Sequence, residues 1–198
     1  MGHPAETGEA ETAEAAPSEV PPYLRSPRDT MQAFVAAMER ELGAASPSYR
    51  LRPGDDPAEV LRETLGIEVG FDQAGVKEVG TRLYSVLHRI DDFSTSADSL
   101  PNQDGLLAEQ RTEGSETNGP QVIWPWSKDA TPQQRALHNR IEAALSGSDT
   151  DPRIEIVQAA DGRWVFAHRT IDEIGDFFDA VRDVPQRYGV RTDNATVS

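Results

Sequence analysis

Apolar residues recur along this chain with two different periods. Met31, Phe34, Val35, Met38 and Leu42 return every three or four positions, the spacing that lines one side of a helix. Ser26 stands ahead of them as an N-cap and Pro27 suits the first helical position. Asp29 complements the positive helix start, and Gly43 stops the run. A shorter helix is predicted from Asp56-Pro57, with Glu59 completing a capping box. Val60, Leu61 and Leu65 form its buried side, and Gly66 ends it. A third helix follows Asp72, its long apolar face made by Val76, Val79, Leu83, Val86, Leu87 and Ile90. Thr131-Pro132-Gln133-Gln134 opens another capped helix, lined by Leu137, Ile141 and Leu145. Ile154 to Val157 and Trp164-Val165-Phe166 read as strands around an Asp161-Gly162 hairpin turn. Thr170 with Glu173 then forms a capping box for a last helix. Its buried side is Ile171, Ile174, Phe177, Phe178 and Val181, and Pro185 follows it.

The intervening segments are poorer in apolar residues. Asp92 to Leu100 reads as extended, closed by Pro101. Residues 102–120 hold Gly105, Gly114, Gly119 and four carboxylates against Arg111 alone, the composition of a mobile loop or insertion. Val122-Ile123-Trp124 suits a short strand, at a sheet edge because Pro125 follows. Residues 1–22 alternate glutamate with alanine, threonine and proline, without lysine or arginine. Such a tail cannot bury enough surface to offset its ordering entropy.

The expected fold class is therefore α+β, with several amphipathic helices packed on a small antiparallel sheet. One domain spans 23–188 with 102–120 as a mobile insertion, between a disordered tail over 1–22 and a second tail over 189–198. Pleat alternation puts Phe166 on the same face as Trp164. Phe177 from the last helix and Phe34 from the first are the natural walls against that face. These four residues are the predicted structural anchors.

Charge narrows the partners. The chain carries 19 lysines and arginines against 34 carboxylates, a net charge of −15. That disfavours nucleic acid, and it disfavours docking on anionic lipid through a basic patch. The absence of cysteine excludes disulfides, thiol nucleophiles and thiolate zinc sites. No stretch approaches the roughly 18 apolar residues of a membrane span, and no basic region leads into an apolar run as in a signal peptide. Direct membrane insertion is not expected.

Candidate chemistry is sparse. Of the four histidines, His3 lies in the tail, and His88 and His138 sit on separate helices. His138 and Glu142 are spaced as a helix-surface pair. His168 follows a strand and could face a concave sheet, which makes it the candidate pocket residue. Asp172, Asp176, Asp179 and Asp183 share one helix face. A calcium loop needs oxygens converging from curved backbone, so a solvated face is the plainer reading. Asp55-Asp56 and Asp91-Asp92 suit helix ends. No serine lies in a nucleophile elbow, and no glycine-rich loop would cradle phosphate. Trp124 and Trp126, bracketing Pro125, are candidate partner contacts. The plainer reading closes the core with one and partly exposes the other. No catalytic, cofactor-binding or metal-ligating residue is assigned, and no cofactor is expected.

Three stretches carry a resemblance. They are Ser26-Pro27-Arg28-Asp29-Thr30-Met31-Gln32-Ala33-Phe34; Leu83 to Phe93 with Ser99-Leu100-Pro101; and Ile154-Glu155-Ile156 through Asp161-Gly162-Arg163-Trp164-Val165-Phe166, followed by Thr170-Ile171 and Phe177-Phe178. In this order they resemble the soluble extracytoplasmic region that precedes the membrane helices in some bacterial small-conductance mechanosensitive channel-like proteins. The resemblance implies a non-enzymatic sensory, regulatory or assembly domain outside the cytoplasmic membrane. Its partner would be another protein or the membrane region of the same one. No membrane helix follows Pro185, so an excised region or a stand-alone relative is expected. A looser likeness is to the cone-shaped NTF2-like superfamily, which implies a small-ligand-binding or catalytic domain.

Overall fold

A computed structural model describes residues 19–68, 70, 72–90, 97–113, 119–125, 131–146 and 153–185. Among the described residues, six α-helices of eight residues or more and a three-stranded antiparallel sheet share one hydrophobic core. The helices are α1 Pro27–Glu41, α2 Pro57–Thr64, α3 Gln73–Ile90, α4 Gln103–Glu113, α5 Pro132–Leu145 and α6 His168–Val181. The strands are β1 Gln121–Trp124, β2 Ile154–Gln158 and β3 Trp164–Phe166, in the order β1-β2-β3. The expected α+β class is what the chain forms.

The helix starts follow local chemistry. The Ser26 hydroxyl accepts from the Asp29 amide at 3.1 Å and donates to the Asp29 carboxylate at 2.6 Å. The Asp56 carboxylate accepts from the Ala58 amide at 3.1 Å, a direct cap in place of the expected box with Glu59. Thr131 and Gln134 make the reciprocal capping box that satisfies two orphan amides of α5. Gly43 and Gly66 end α1 and α2 at positive φ, where a side chain would strain the backbone.

The strands present one apolar face inward. Ile156 pairs with Phe166, and Trp124 with Ile154, so the pleat stacks these four on one side. Phe34 of α1 meets Phe166 edge-on at 5.1 Å, and Phe177 of α6 lies 5.6 Å from Trp124. Trp164, Phe166, Phe34 and Phe177 are each at most 2% exposed, as anchors must be. Val165 faces the other way, beneath the turn at Gly66. At Gly80, α3 crosses α1 and α2 so closely that a Cβ would lie 2.9 Å from the Met38 sulfur.

Long-range polar contacts tie these layers. Arg28 donates to the carbonyls of Leu100 at 2.8 Å and Asp98 at 2.5 Å, fixing the start of α1 against the turn before α4. Arg89, buried on α3, donates to the Val184 carbonyl at 2.8 Å and lies 6.0 Å over the Phe178 ring.

Four further expectations are corrected. Within 102–120, read as a loop, Gln103–Glu113 are helical: Leu106 is buried, and the Asn102 side chain accepts from the Gly105 amide at 2.9 Å. One buried leucine and a polar cap nucleate what the composition hides. Ala97–Ser99, read as extended, are helical, whereas 91–96 lie outside the described residues. Residues 19–22, assigned to the tail, belong to the fold. The Val20 carbonyl accepts from Arg25 at 3.2 Å, and Pro22–Leu24 form a short 3-10 helix that buries Leu24. Finally, Thr170 does not cap α6, which begins at His168 without a side-chain cap. The Ala167 amide still donates to the Glu155 carbonyl at 2.9 Å, so the sheet runs directly into the helix and leaves no room for a separate cap. The rest of the expected tails, 1–18 and 189–198, lie outside the described residues.

Candidate functional site

The residues singled out for chemistry do not converge. Trp124 is 1% exposed, tilted against the His138 ring at 4.9 Å and the Phe177 ring at 5.6 Å. It closes the core and offers no contact surface, because it is the last β1 residue on the inward face. Trp126 lies outside the described residues. The large exposed apolar side chains among the described residues are Leu107 and Val122. Neither was singled out from the sequence: Leu107 stands in the segment read as a loop, and Val122 in a short strand pattern.

His168, the candidate pocket residue, is the first residue of α6, and its side chain is 89% exposed. Its Nδ1 lies 3.5 Å from Asp172 on the outer face of the helix. The strand that would have aimed it inward ends at Phe166, and Ala167 turns the chain away. His138 and Glu142 pair at 3.1 Å on α5, as their spacing predicts. Asp172, Asp176, Asp179 and Asp183 are all exposed, and Asp179 pairs with Arg182 at 3.7 Å. Among the described residues, no group of three side chains is placed to hold a metal ion, and no helix is long and apolar enough to cross a membrane.

The perturbed titrating groups belong to the scaffold. Burial, then the hydrogen bond to Glu63, pushes the Tyr23 phenol well above its usual range. Burial, then the charges of Asp98 and Glu39, raises Tyr49, with Arg28 opposing them. At the hairpin tip, burial would raise Asp161. The amide and guanidinium of Arg163 donate to it at 3.1 and 2.6 Å and bring it below the usual carboxylate range instead.

A surface groove of about 690 Å³ lies elsewhere, between the end of α1, α2 and the start of α3. Ala58, Leu61, Ala74 and Val76 supply its apolar lining. Four carboxylates border it, Glu41, Asp56, Glu59 and Asp72, against two bases, Arg62 and Lys77. Glu41 holds the Lys77 ammonium at 3.0 Å, and Asp72 accepts from the Ala74 amide at 3.4 Å. Sequence reading identified Asp56 and Asp72 only as helix starts. Nothing in local spacing shows that the two capped ends open onto the same groove.

Comparison with known proteins yields no matching family model, no matching characterised protein and no matching solved structure.

Proposed function

We propose that this chain is a non-enzymatic domain acting through its surface, as a sensory, regulatory or assembly element of a mechanosensitive channel-like protein outside the cytoplasmic membrane. The observation that carries the surface-acting part is the filling of the sheet's inner face. Trp124, Ile154, Ile156 and Phe166 line it, and Phe34 and Phe177 pack onto it, where an NTF2-like cone would hold its ligand. His168, which that alternative would need inside, stands on the surface.

The channel association rests on the three resembling stretches, which meet in the fold. Thr30 of the first donates to the Trp164 carbonyl of the third at 2.7 Å, and Arg28 binds the Leu100 carbonyl of the second. Their likeness thus follows residues that build one packed unit, and it speaks first to architecture. The net charge of −15 supports a protein partner over nucleic acid. Patch recording tests the channel part. The folded domain, fused ahead of the membrane helices of a small-conductance channel, should shift the tension at which the channel opens. An unchanged threshold overturns the association.

A further inference from the structure

The groove between α1, α2 and α3 has a definite electrostatic sense. Glu41 at the end of α1 lies beside the helix's own negative terminus, an arrangement unfavourable unless a cation is near. Lys77 supplies one from α3, its ammonium 3.0 Å from Glu41 and its side chain half-exposed. Glu59, 60% exposed, reaches Arg62 only at 4.0 Å, so its carboxylate is loosely held and solvent-facing. Asp56 and Asp72 complete the border. With four carboxylates and two bases the groove is net acidic, with small apolar patches at Ala58 and Ala74 between them. Lys77 thus displays within the fold the kind of group the border accepts.

We propose that this groove is the docking surface for a basic peptide segment of a partner protein, one that places lysine or arginine side chains against Glu41, Glu59 and Asp72 and small apolar ones over Ala58 and Ala74. The proposal rests on the surface-acting reading above and names its surface. Charge complementarity selects the occupant: an acidic segment would meet repulsion, and the chain's own −15 disfavours a second copy.

The test is titration of the folded protein with a short amidated peptide alternating lysine and arginine with alanine and leucine, followed by NMR shifts and calorimetry. Shifts should concentrate on α2 and the first turns of α3, and the affinity should fall with salt. The triple variant Glu41→Gln/Glu59→Gln/Asp72→Asn keeps a capping side chain at position 72. It should bind roughly tenfold more weakly, as the loss of three partly screened charges implies. The control Asp172→Asn/Asp176→Asn/Asp179→Asn changes net charge equally on α6, outside the groove, and should bind as the wild type does. Equal weakening by both triples, or no binding by the folded wild type, overturns the groove as the docking surface while leaving the surface-acting reading intact. A small molecule that altered the emission of Trp164 would instead count against that reading.

Discussion

The Thr30 hydroxyl donates to the carbonyl of Trp164 at 2.7 Å, joining positions 134 apart in the sequence. The bond lies in the core and fixes the first helix to the strand whose carbonyl it covers. Trp164 is 1% exposed behind it, so the hydrogen bond and the indole act at one junction. Trp164→Ala should leave a cavity and cost about 3–5 kcal/mol, a large part of a domain's usual stability. Thr30→Val should cost about 1–2 kcal/mol, chiefly by leaving that carbonyl without its donor. Denaturant unfolding of both variants measures this. With Trp124 and Trp126 replaced by Phe, native emission from Trp164 should be blue-shifted and poorly quenched. A red-shifted, readily quenched band would place the indole at the surface.

Thr170 offers a second test of how the last helix is held. Its hydroxyl accepts from the Glu155 amide at 3.1 Å and donates to the Arg153 carbonyl at 3.0 Å. One side chain therefore satisfies two backbone groups at the start of β2. Thr170→Val preserves shape and removes both bonds, and should cost about 2–3 kcal/mol. Thr170→Ser keeps the hydroxyl and should lose about 1 kcal/mol for the missing methyl. Similar unfolding midpoints for Val and Ser would show that the hydroxyl contributes little. A capping role would also give Glu173 a part, but Glu173 pairs with Arg169 at 3.1 Å along the helix.

Thr170 also marks where sequence reading stops. The pattern Thr170–Glu173 satisfies every local rule for a helix start, and the structure uses the same threonine for a tertiary bond. Local chemistry decided the starts of α1, α2 and α5, where the side chains of Ser26, Asp56 and Thr131 cap the first turn. It failed where a strand enters the helix directly. Helix α4 failed for the opposite reason: only Leu106 of its described side chains is buried, too little to make a period. The anchors Trp164, Phe166, Phe34 and Phe177 were legible because large side chains at strand and helix spacing have few places to go. The groove was not, since it depends on how three helices are arranged around Gly80 and not on any one stretch.

Stability should fall at alkaline pH through Tyr23. Burial and the Glu63 carboxylate hold its phenol protonated in the folded chain, whereas in the unfolded chain it ionises near its ordinary value. A raised folded pKa means that the contribution is intact below about pH 10 and is lost as pH climbs toward the folded value. Tyr23→Phe lacks the bond to Glu63 and should be less stable than the wild type at pH 7 by about 1–2 kcal/mol. The gap should narrow above about pH 10. Tyr49 is shared by both forms, so the difference isolates Tyr23. A gap that stays constant with pH would sink the assignment.

Two glycines of α3 should respond to alanine with opposite signs. A Cβ built at Gly75 meets nothing within 4 Å, so Gly75→Ala adds helix propensity without a clash. It should stabilise by up to about 1 kcal/mol, mainly by narrowing the unfolded ensemble. At Gly80 the same methyl would lie 2.9 Å from the Met38 sulfur and 3.0 Å from a Leu61 methyl. Methionine usually adapts to such intrusions. Here Met38 and Leu61 are at most 1% exposed and packed among three helices, which leaves neither a free direction. Overpacking of this kind costs about 1–3 kcal/mol, more than the propensity gain of about 1 kcal/mol returns. Gly80→Ala should therefore unfold at lower denaturant than the wild type, and Gly75→Ala at the same or higher. Gly80→Ala at or above the wild-type midpoint would mean that α1, α2 and α3 do not meet as closely as their packing at this residue requires.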